Sequence, residues 1–238
     1  MSVTARDATA IDTRQRILDV AGPIFAEHGF RAATIREICD KADANIAAVN
    51  YHFGSKENLY TEVLRSWLQK QEEKHPPDGG LRDGATAEER LRAFIRAVVL
   101  RILGDEGPPS WFSGLLAREM AEPTHALDSL VEEIFRPQML QLDGIVRDLL
   151  GPEADPKQVR LCVWSVAGQW VVYHCGRNLM ARLEPERKLA AEELELLAEH
   201  ITRFSLNAVR GFRTESSPPQ ARPAGGLLAA APVGAPAI

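Results

Sequence analysis

The sequence is poor in aromatics, 6% of its 238 residues, and it holds only three cysteines. Cys39, Cys162 and Cys175 form no CxxC pair, and an odd number of thiols does not make a disulfide framework. On one helix Cys162 and Cys175 would stand about 20 Å apart, at about 1.5 Å per residue, too far to bond. They read as small buried hydrophobes, with a redox-sensing thiol as the alternative. No apolar run reaches the length of a membrane span: the longest, LCVWSVAGQWVVYHCG, is bracketed by Arg160 and Arg177 and reads as a buried helix. The opening MSVTARDATAIDTRQR lacks the apolar stretch of a signal peptide, so a cytoplasmic protein with no membrane partner is expected. Enzyme signatures are missing too. There is no His pair at i and i+4, no Gly-rich phosphate loop and no nucleophile motif, and no metal or cofactor is expected. An excess of positive charge is also lacking. The net charge is −5, and the first sixty residues set seven basic side chains (Arg6, Arg14, Arg16, Arg31, Arg36, Lys41, Lys56) against eight acidic ones. Any reading as a nucleic-acid binder therefore rests on where charges stand, not on their sum.

What is present is helix. Ala, Leu, Glu and Arg abound, no stretch alternates like a strand, and no repeat recurs. A chain that is 45% hydrophobic and 26% charged is ordinary for a globular protein, and its length allows one large domain or two small ones.

A first helix, TRQRILDVAGPIFAEHGF, carries Ile17, Val20, Ala21, Ile24 and Phe25 at helical spacing and stops at Gly29; Pro23 inside it predicts a kink or a boundary. Thr34 and Glu37 predict a capping box for a second, short helix with Ile35, Ile38 and Cys39 inward. A turn through Asp43 and Ala44 leads to Asn45, the N-cap of a third helix to about Tyr51 with Ile46 and Val49 inward. Ser55 caps a fourth, with Leu59, Val63 and Trp67 on its inner side.

HPPDGGLRDGA reads as a loop. Thr86 and Glu89 form another capping box before Leu91, Phe94, Ile95 and Val98. After the GDEGPPS break come WFSGLLAREMA and a long segment kinked at Pro137. Asp155, Pro156 and Gln158 then open a boxed helix to about Leu183, apolar nearly all round. A last helix follows Pro185 with Leu194, Leu197, Ile201, Phe204 and Ala208 as its stripe. The Pro, Gly and Ala of residues 214–238 predict a disordered tail.

Two short capped helices joined by a tight turn, with a helix packed before them, fit a helix-turn-helix whose second helix can read a major groove. The strings RILDVAGPIFAEHGF, TIREICDKA and NIAAVNYHFGSKENLY make Thr13 to Tyr60 resemble the DNA-binding domain of the TetR family of bacterial transcriptional regulators. With REMAEPTHALDSLVEEIFRPQM and GQWVVYH, most of the chain is similar, more loosely, to the CecR-like (YbiH-like) branch. One departure is Asp43, at a turn position where the family usually has Gly; Asp tolerates positive φ better than most side chains.

The resemblance implies an all-α chain: an N-terminal three-helix DNA-binding domain (1–54), a larger helical ligand-binding and dimerisation domain (55–213), then the tail. It implies that Thr34 meets a phosphate and that Arg36 reaches a base edge, the O6 and N7 of guanine. It sets Asn45, Ala47, Ala48 and Asn50 along the exposed face of the recognition helix, Asn50 to pair with adenine and the alanines to touch thymine methyls. Tyr51, His52 and Lys56 would hold phosphates. For each the plainer reading stands beside it, such as Arg36 as a solvated charge and Tyr51 as a packing residue.

The same resemblance makes the two C-terminal helices a homodimer interface, with Trp164, Gly168, Val171, Leu197, Ile201 and Phe204 as contacts, and intrachain core as the alternative. It makes the middle helices a pocket for an unknown small-molecule effector, with Trp111, Phe112, Arg118, Met120, His125, Phe135, Met139, Tyr173 and His174 as candidate lining, or plain core. The function implied is a repressor that leaves a palindromic operator, double-stranded DNA, when its effector binds. The alternatives are a redox-responsive repressor, or an all-helical carrier or enzyme that borrows the fold.

Overall fold

The computed structural model describes residues 5–104, 109–186 and 190–215. The expected tail falls outside the described residues, apart from its first two positions, which continue the last helix. Among them every regular element is helical: α1 (Ala5–Ala32), α2 (Ile35–Ala42), α3 (Ile46–Phe53), α4 (Lys56–Lys74), α5 (Ala87–Leu103), α6 (Ser110–Ala121), α7 (His125–Leu130), a π-helical turn (Val131–Phe135), α8 (Arg136–Leu150), α9 (Pro156–Cys175), α10 (Arg177–Leu183) and α11 (Ala191–Glu215). No described helix is long and apolar enough to cross a membrane.

The side chains sort into two apolar cores. The first gathers Ile17, Ile24 and Phe25 of α1, Ile38 of α2, Val49 and Phe53 of α3, and Leu59 and Val63 of α4. It runs on without interruption into Phe112 and Leu115 of α6, Leu130 of α7 and Ile134 of the π turn. The second gathers α5, α8, α9 and α11 around Leu91, Ile95, Leu142, Val146, Val163 and Ile201. Tyr60 of α4 donates a hydrogen bond of 2.7 Å to Glu119 Oε2 on α6, and both groups are buried.

Local chemistry explains most boundaries. Thr86 and Glu89 close both arms of their capping box. α1 runs through Pro23, because Pro23 and Asp19, whose carbonyl loses its N–H partner, both face solvent; the break comes at Gly29, with φ 77° and ψ 165°. The kink expected at Pro137 is instead the π turn just before it. A wider turn accommodates a residue without an N–H and relieves its ring against the carbonyl of residue 133.

Several expectations need correction. Glu37 does not return to its N-cap; its carboxylate takes Lys41 at 3.2 Å and His28 at 3.3 Å. Gln158 likewise turns to Cys162 Sγ rather than closing a box. The ninth helix stops at Gly176, so α10 is separate. Ile46 is 52% exposed, because the inward pair of α3 is Val49 and Phe53, one turn apart. Along α11 the buried row continues from Ile201 to Ser205, Leu206 and Val209, leaving Phe204 and Ala208 outside.

Candidate nucleic-acid interface

Each short helix near the N-terminus is held at its start by one side chain. Thr34 Oγ1 accepts from the Glu37 N–H at 3.2 Å, Asn45 Oδ1 from the Ala48 N–H at 2.7 Å, and Ser55 Oγ from the Asn58 N–H at 3.1 Å. Such caps matter most in helices of two turns, which do not persist alone. Between α2 and α3 the chain reverses at Asp43, in the left-handed region at φ 48° and ψ 50°, and the Ala44 N–H closes on the Cys39 carbonyl at 3.0 Å.

With Val49 and Phe53 buried, the opposite side of α3 faces outward. Tyr51 is 82% exposed, with its ring 5.0 Å from that of His52 in an edge-on arrangement, so it is not a packing residue of the small domain. Asn50 and Ala47 are exposed, while Ala48 is half-buried against the core and has less to offer a thymine methyl. The Asn45 oxygen is committed to its cap, which leaves the amide N–H groups as its free donors. Arg36 and Thr34 lie exposed at the start of α2.

Lys56 is half-buried: its Nζ donates to the Arg31 carbonyl at 3.1 Å and stands 4.9 Å from the centre of the Phe30 ring. An ammonium has three donors, so a phosphate remains within its capacity.

An open groove of about 640 Å³ lies along this face, lined by Asn45, Ala47, Ala48, Tyr51 and His52 of α3 with its cap, Asp43 and Ala44 of the turn, and Thr13 and Arg16 of α1. Thr13 and Arg16 were not among the expected contacts. The signal for them was the basic pair Arg14 and Arg16 at the start of the first apolar stripe; only the fold shows that Arg14 turns to Glu62 and the Phe53 ring while Arg16 faces the groove.

The expected ligand-binding residues do not gather in one place. Trp111, Phe112 and Phe135 pack into the first core, and Met139 and Tyr173 against the second. His174 is half-buried near the end of α9. Arg118, Met120 and His125 lie on the surface, Arg118 against Gly29 of α1 and His125 with its ring 6.3 Å from Phe30.

Of the expected dimer contacts, Trp164 and Phe204 are 64% and 60% exposed, Val171 is exposed, and Gly168 faces open space. Leu197 and Ile201 are corrected: both are buried in the chain's own second core, at 5% and 1% exposure, with little surface left to share. Leu161, Val172 and Leu196, not foreseen, are exposed on the same two helices.

Two family models match the chain. "Bacterial regulatory proteins, tetR family" covers residues 17–63, and "HTH-type transcriptional dual regulator CecR, C-terminal domain" covers residues 87–209, just over half of the sequence. The chain belongs to the CecR-like branch of the TetR family. Along its length it is similar to the HTH-type transcriptional dual regulator CecR of Shigella flexneri, 26% identical over 205 residues, 79% of this chain and 87% of that one. Its head alone is similar to the HTH-type transcriptional repressor KstR2 of Rhodococcus jostii, 44% identical over 55 residues, 23% of this chain and 27% of that one. Among solved structures, the fold is shared with the Bacillus subtilis regulator FadR in complex with stearoyl-CoA (TM-score 0.55, 19% identity, 81% of this chain and 97% of that one). It is shared also with KstR2 of Mycobacterium tuberculosis (TM-score 0.53, 19% identity, 87% and 96%). As a TetR-family transcriptional regulator with a helix-turn-helix head, the chain has relatives that are regulators, not enzymes.

Proposed function

We propose that this chain is a dimeric, cytoplasmic repressor that covers a palindromic operator and leaves it when a small molecule binds among its middle helices. The observation that carries the DNA-reading half is the outward face of α3. Asn50 and Tyr51 stand free of their own core, and Tyr51 shares the groove with Arg16, although the chain as a whole is acidic. An acidic body with a locally furnished reading helix favours specific over general attraction to DNA.

Support for the dimer is an apolar row in water. Leu161, Trp164, Gly168, Val171 and Val172 recur on one side of α9, and Leu196 and Phe204 are both exposed on α11, eight residues apart. Two heads held by such a face match two half-sites at one spacing. The solution of FadR with stearoyl-CoA supports a small-molecule effector for this chain as well.

α4 offers the route from effector to DNA. It begins at Ser55 beside the head and ends at Lys74 against α5, so a ligand that shifts it changes the separation of the two α3 helices. By reciprocity operator DNA then weakens ligand binding by the same factor, typically on the order of 1–3 kcal/mol. The redox alternative loses ground at Cys39 and Cys162, both buried; burial and then Asp40 push the Cys39 thiol above its ordinary pKa, away from the reactive thiolate. Cys175 is exposed, against the expectation of a buried thiol, and is the residue at which that alternative is tested.

The test is fluorescence anisotropy with DNA from upstream of the gene, at fixed salt. Arg36→Ala and Asn50→Ala are expected to relax sequence preference and weaken specific binding by about 1–3 kcal/mol per lost base contact. Lys56→Ala is expected to weaken binding across all sequences. Equal affinity of the three variants and the wild type for the operator would defeat the assignment.

A further inference from the structure

Arg101 lies near the end of α5 and is only 7% exposed. Its Nε donates to the His75 carbonyl at the end of α4, at 2.7 Å, while its Nη1 and Nη2 are buried with no hydrogen-bond partner among the described residues. Glu72 is the acidic group that favours its charge, from beyond ion-pair distance; Lys74 and Arg96, which with Arg101 act on His75, carry the same sign as Arg101. A guanidinium does not shed its proton in a protein, so this one remains a desolvated cation whose four Nη–H donors have no partner among the described residues. Burying an uncompensated charge is costly, and a well-packed apolar residue in its place is commonly neutral or stabilising. A structural tether for one carbonyl does not need a charge.

Two further groups in this part of the molecule are buried without a hydrogen-bond partner among the described residues: Trp67 Nε1 on α4 and Ser113 Oγ on α6. Trp67 and Gln71 stand at spacing four on one face of α4, and the C-cap His75 follows four residues later, about 12 Å from Trp67 along the axis. Trp67 packs 5.9 Å from the ring of Phe112, which belongs to the first core, whereas α5 belongs to the second. One face of α4 therefore has an aromatic end and a cationic end, where the two cores meet.

We propose that Arg101 is the anion anchor of the effector site: the effector carries a carboxylate or phosphate on an apolar body and enters between α4, α5 and α6. The anion takes the two Nη groups side by side, the geometry in which guanidinium binds such groups best, and the apolar body lies toward Trp67 and Phe112. The unpaired cation is then satisfied only in the liganded state, which is what biases α4 toward a second position. The proposal rests on the effector-responsive reading above.

Thermal melts of the full chain with decanoate, decyl phosphate and neutral 1-decanol test it, for the wild type and for Arg101→Gln, which keeps a donor for the His75 carbonyl without the charge. The wild type is expected to be stabilised by at least one anion at concentrations about tenfold lower than by the alcohol. The stronger of the two identifies carboxylate or phosphate. Arg101→Gln is expected to melt at or above the wild-type temperature and to lose the preference. An Arg101→Gln protein that melts well below wild type makes Arg101 a tether of α4 and overturns the site. So does a wild type indifferent between anion and alcohol, or a preference that survives in the variant. Upstream DNA separates the two levels: if both proteins bind it and neither prefers the anions, the anion site alone falls, whereas failure of both to bind overturns the regulator reading.

Discussion

Asp43 occupies the left-handed region with a side chain that must bear the conformation, and it is the one described non-glycine residue that does so. Its carboxylate also lines the groove offered to DNA. Asp43→Gly is expected to raise stability by up to about 1 kcal/mol and to tighten DNA binding, whereas Asp43→Ala, without the local hydrogen bonding of Asp, is expected to lower stability. Urea melts and anisotropy check both. Tyr60 presents the opposite case, a residue whose polar atom is indispensable where it stands. Burial, then Glu119, hold its pKa above the ordinary phenol range, so it remains a donor. Tyr60→Phe leaves the buried Glu119 carboxylate short of a partner and is expected to cost about 1–3 kcal/mol in urea melts.

His75 gives a pH dependence. Burial, then Lys74, Arg101 and Arg96, depress its pKa below the ordinary value. The unfolded chain therefore binds the proton more readily. The contribution of His75 to stability is complete above its unfolded pKa of about 6.5 and is lost as pH falls toward the folded one. The melting temperature of wild type is expected to fall more steeply below about pH 6.5 than that of His75→Gln; parallel curves would remove His75 from the account.

At the scale of elements, the seat of the head on the body depends on a glycine. A Cβ at Gly22 would stand 2.6 Å from Trp111 Cζ3, so α6 approaches α1 as closely as it does only because that atom is missing. In an isolated helix Gly→Ala is favourable by about 1 kcal/mol, but overpacking a fitted contact costs about 1–3 kcal/mol. The second effect is expected to win, so Gly22→Ala lowers stability, and Trp111→Leu in the same chain is expected to recover part of the loss. Chemical denaturation of the two single variants and the double variant measures the coupling, and strict additivity would mean that the contact does not matter. The second core is bordered by ion pairs from α5 to α11, Arg96 to Glu195 and Arg92 to Glu199 among them. These are exposed and contribute little, so the apolar stripe beneath them holds the pair.

For the whole molecule, the acidic chain exposes Leu161, Trp164, Val172, Leu196 and Phe204 on its last long helices and has its furnished polar side on α3. Trp164→Glu with Phe204→Glu is expected to leave the fold of the single chain intact, because both side chains are exposed. It is expected to convert the proposed dimer to monomer in sedimentation velocity and to weaken operator binding by roughly 10²-fold or more through lost coupling of the two heads. A double variant that sediments as a dimer would move the interface elsewhere.

Local signals in the sequence determined the all-helical class, the capped starts at Thr34, Asn45, Ser55, Thr86 and Asp155, and the strained turn at Asp43. Each of these depends on residues within a turn of one another. The family was legible for the same reason, since the string from Thr34 to Tyr60 carries the whole helix-turn-helix. Tertiary structure decided which side of each helix found a partner. Periodicity shows that Leu197, Ile201 and Phe204 recur along a helix, but not that the first two face α5 and α8 while the third faces water. It shows aromatics and methionines in the middle helices without assigning them to two different cores. The burial of Arg101 was not legible at all. A charge near a helix end reads as solvated, and only the approach of the α4 terminus, more than twenty residues away in the chain, removes it from water.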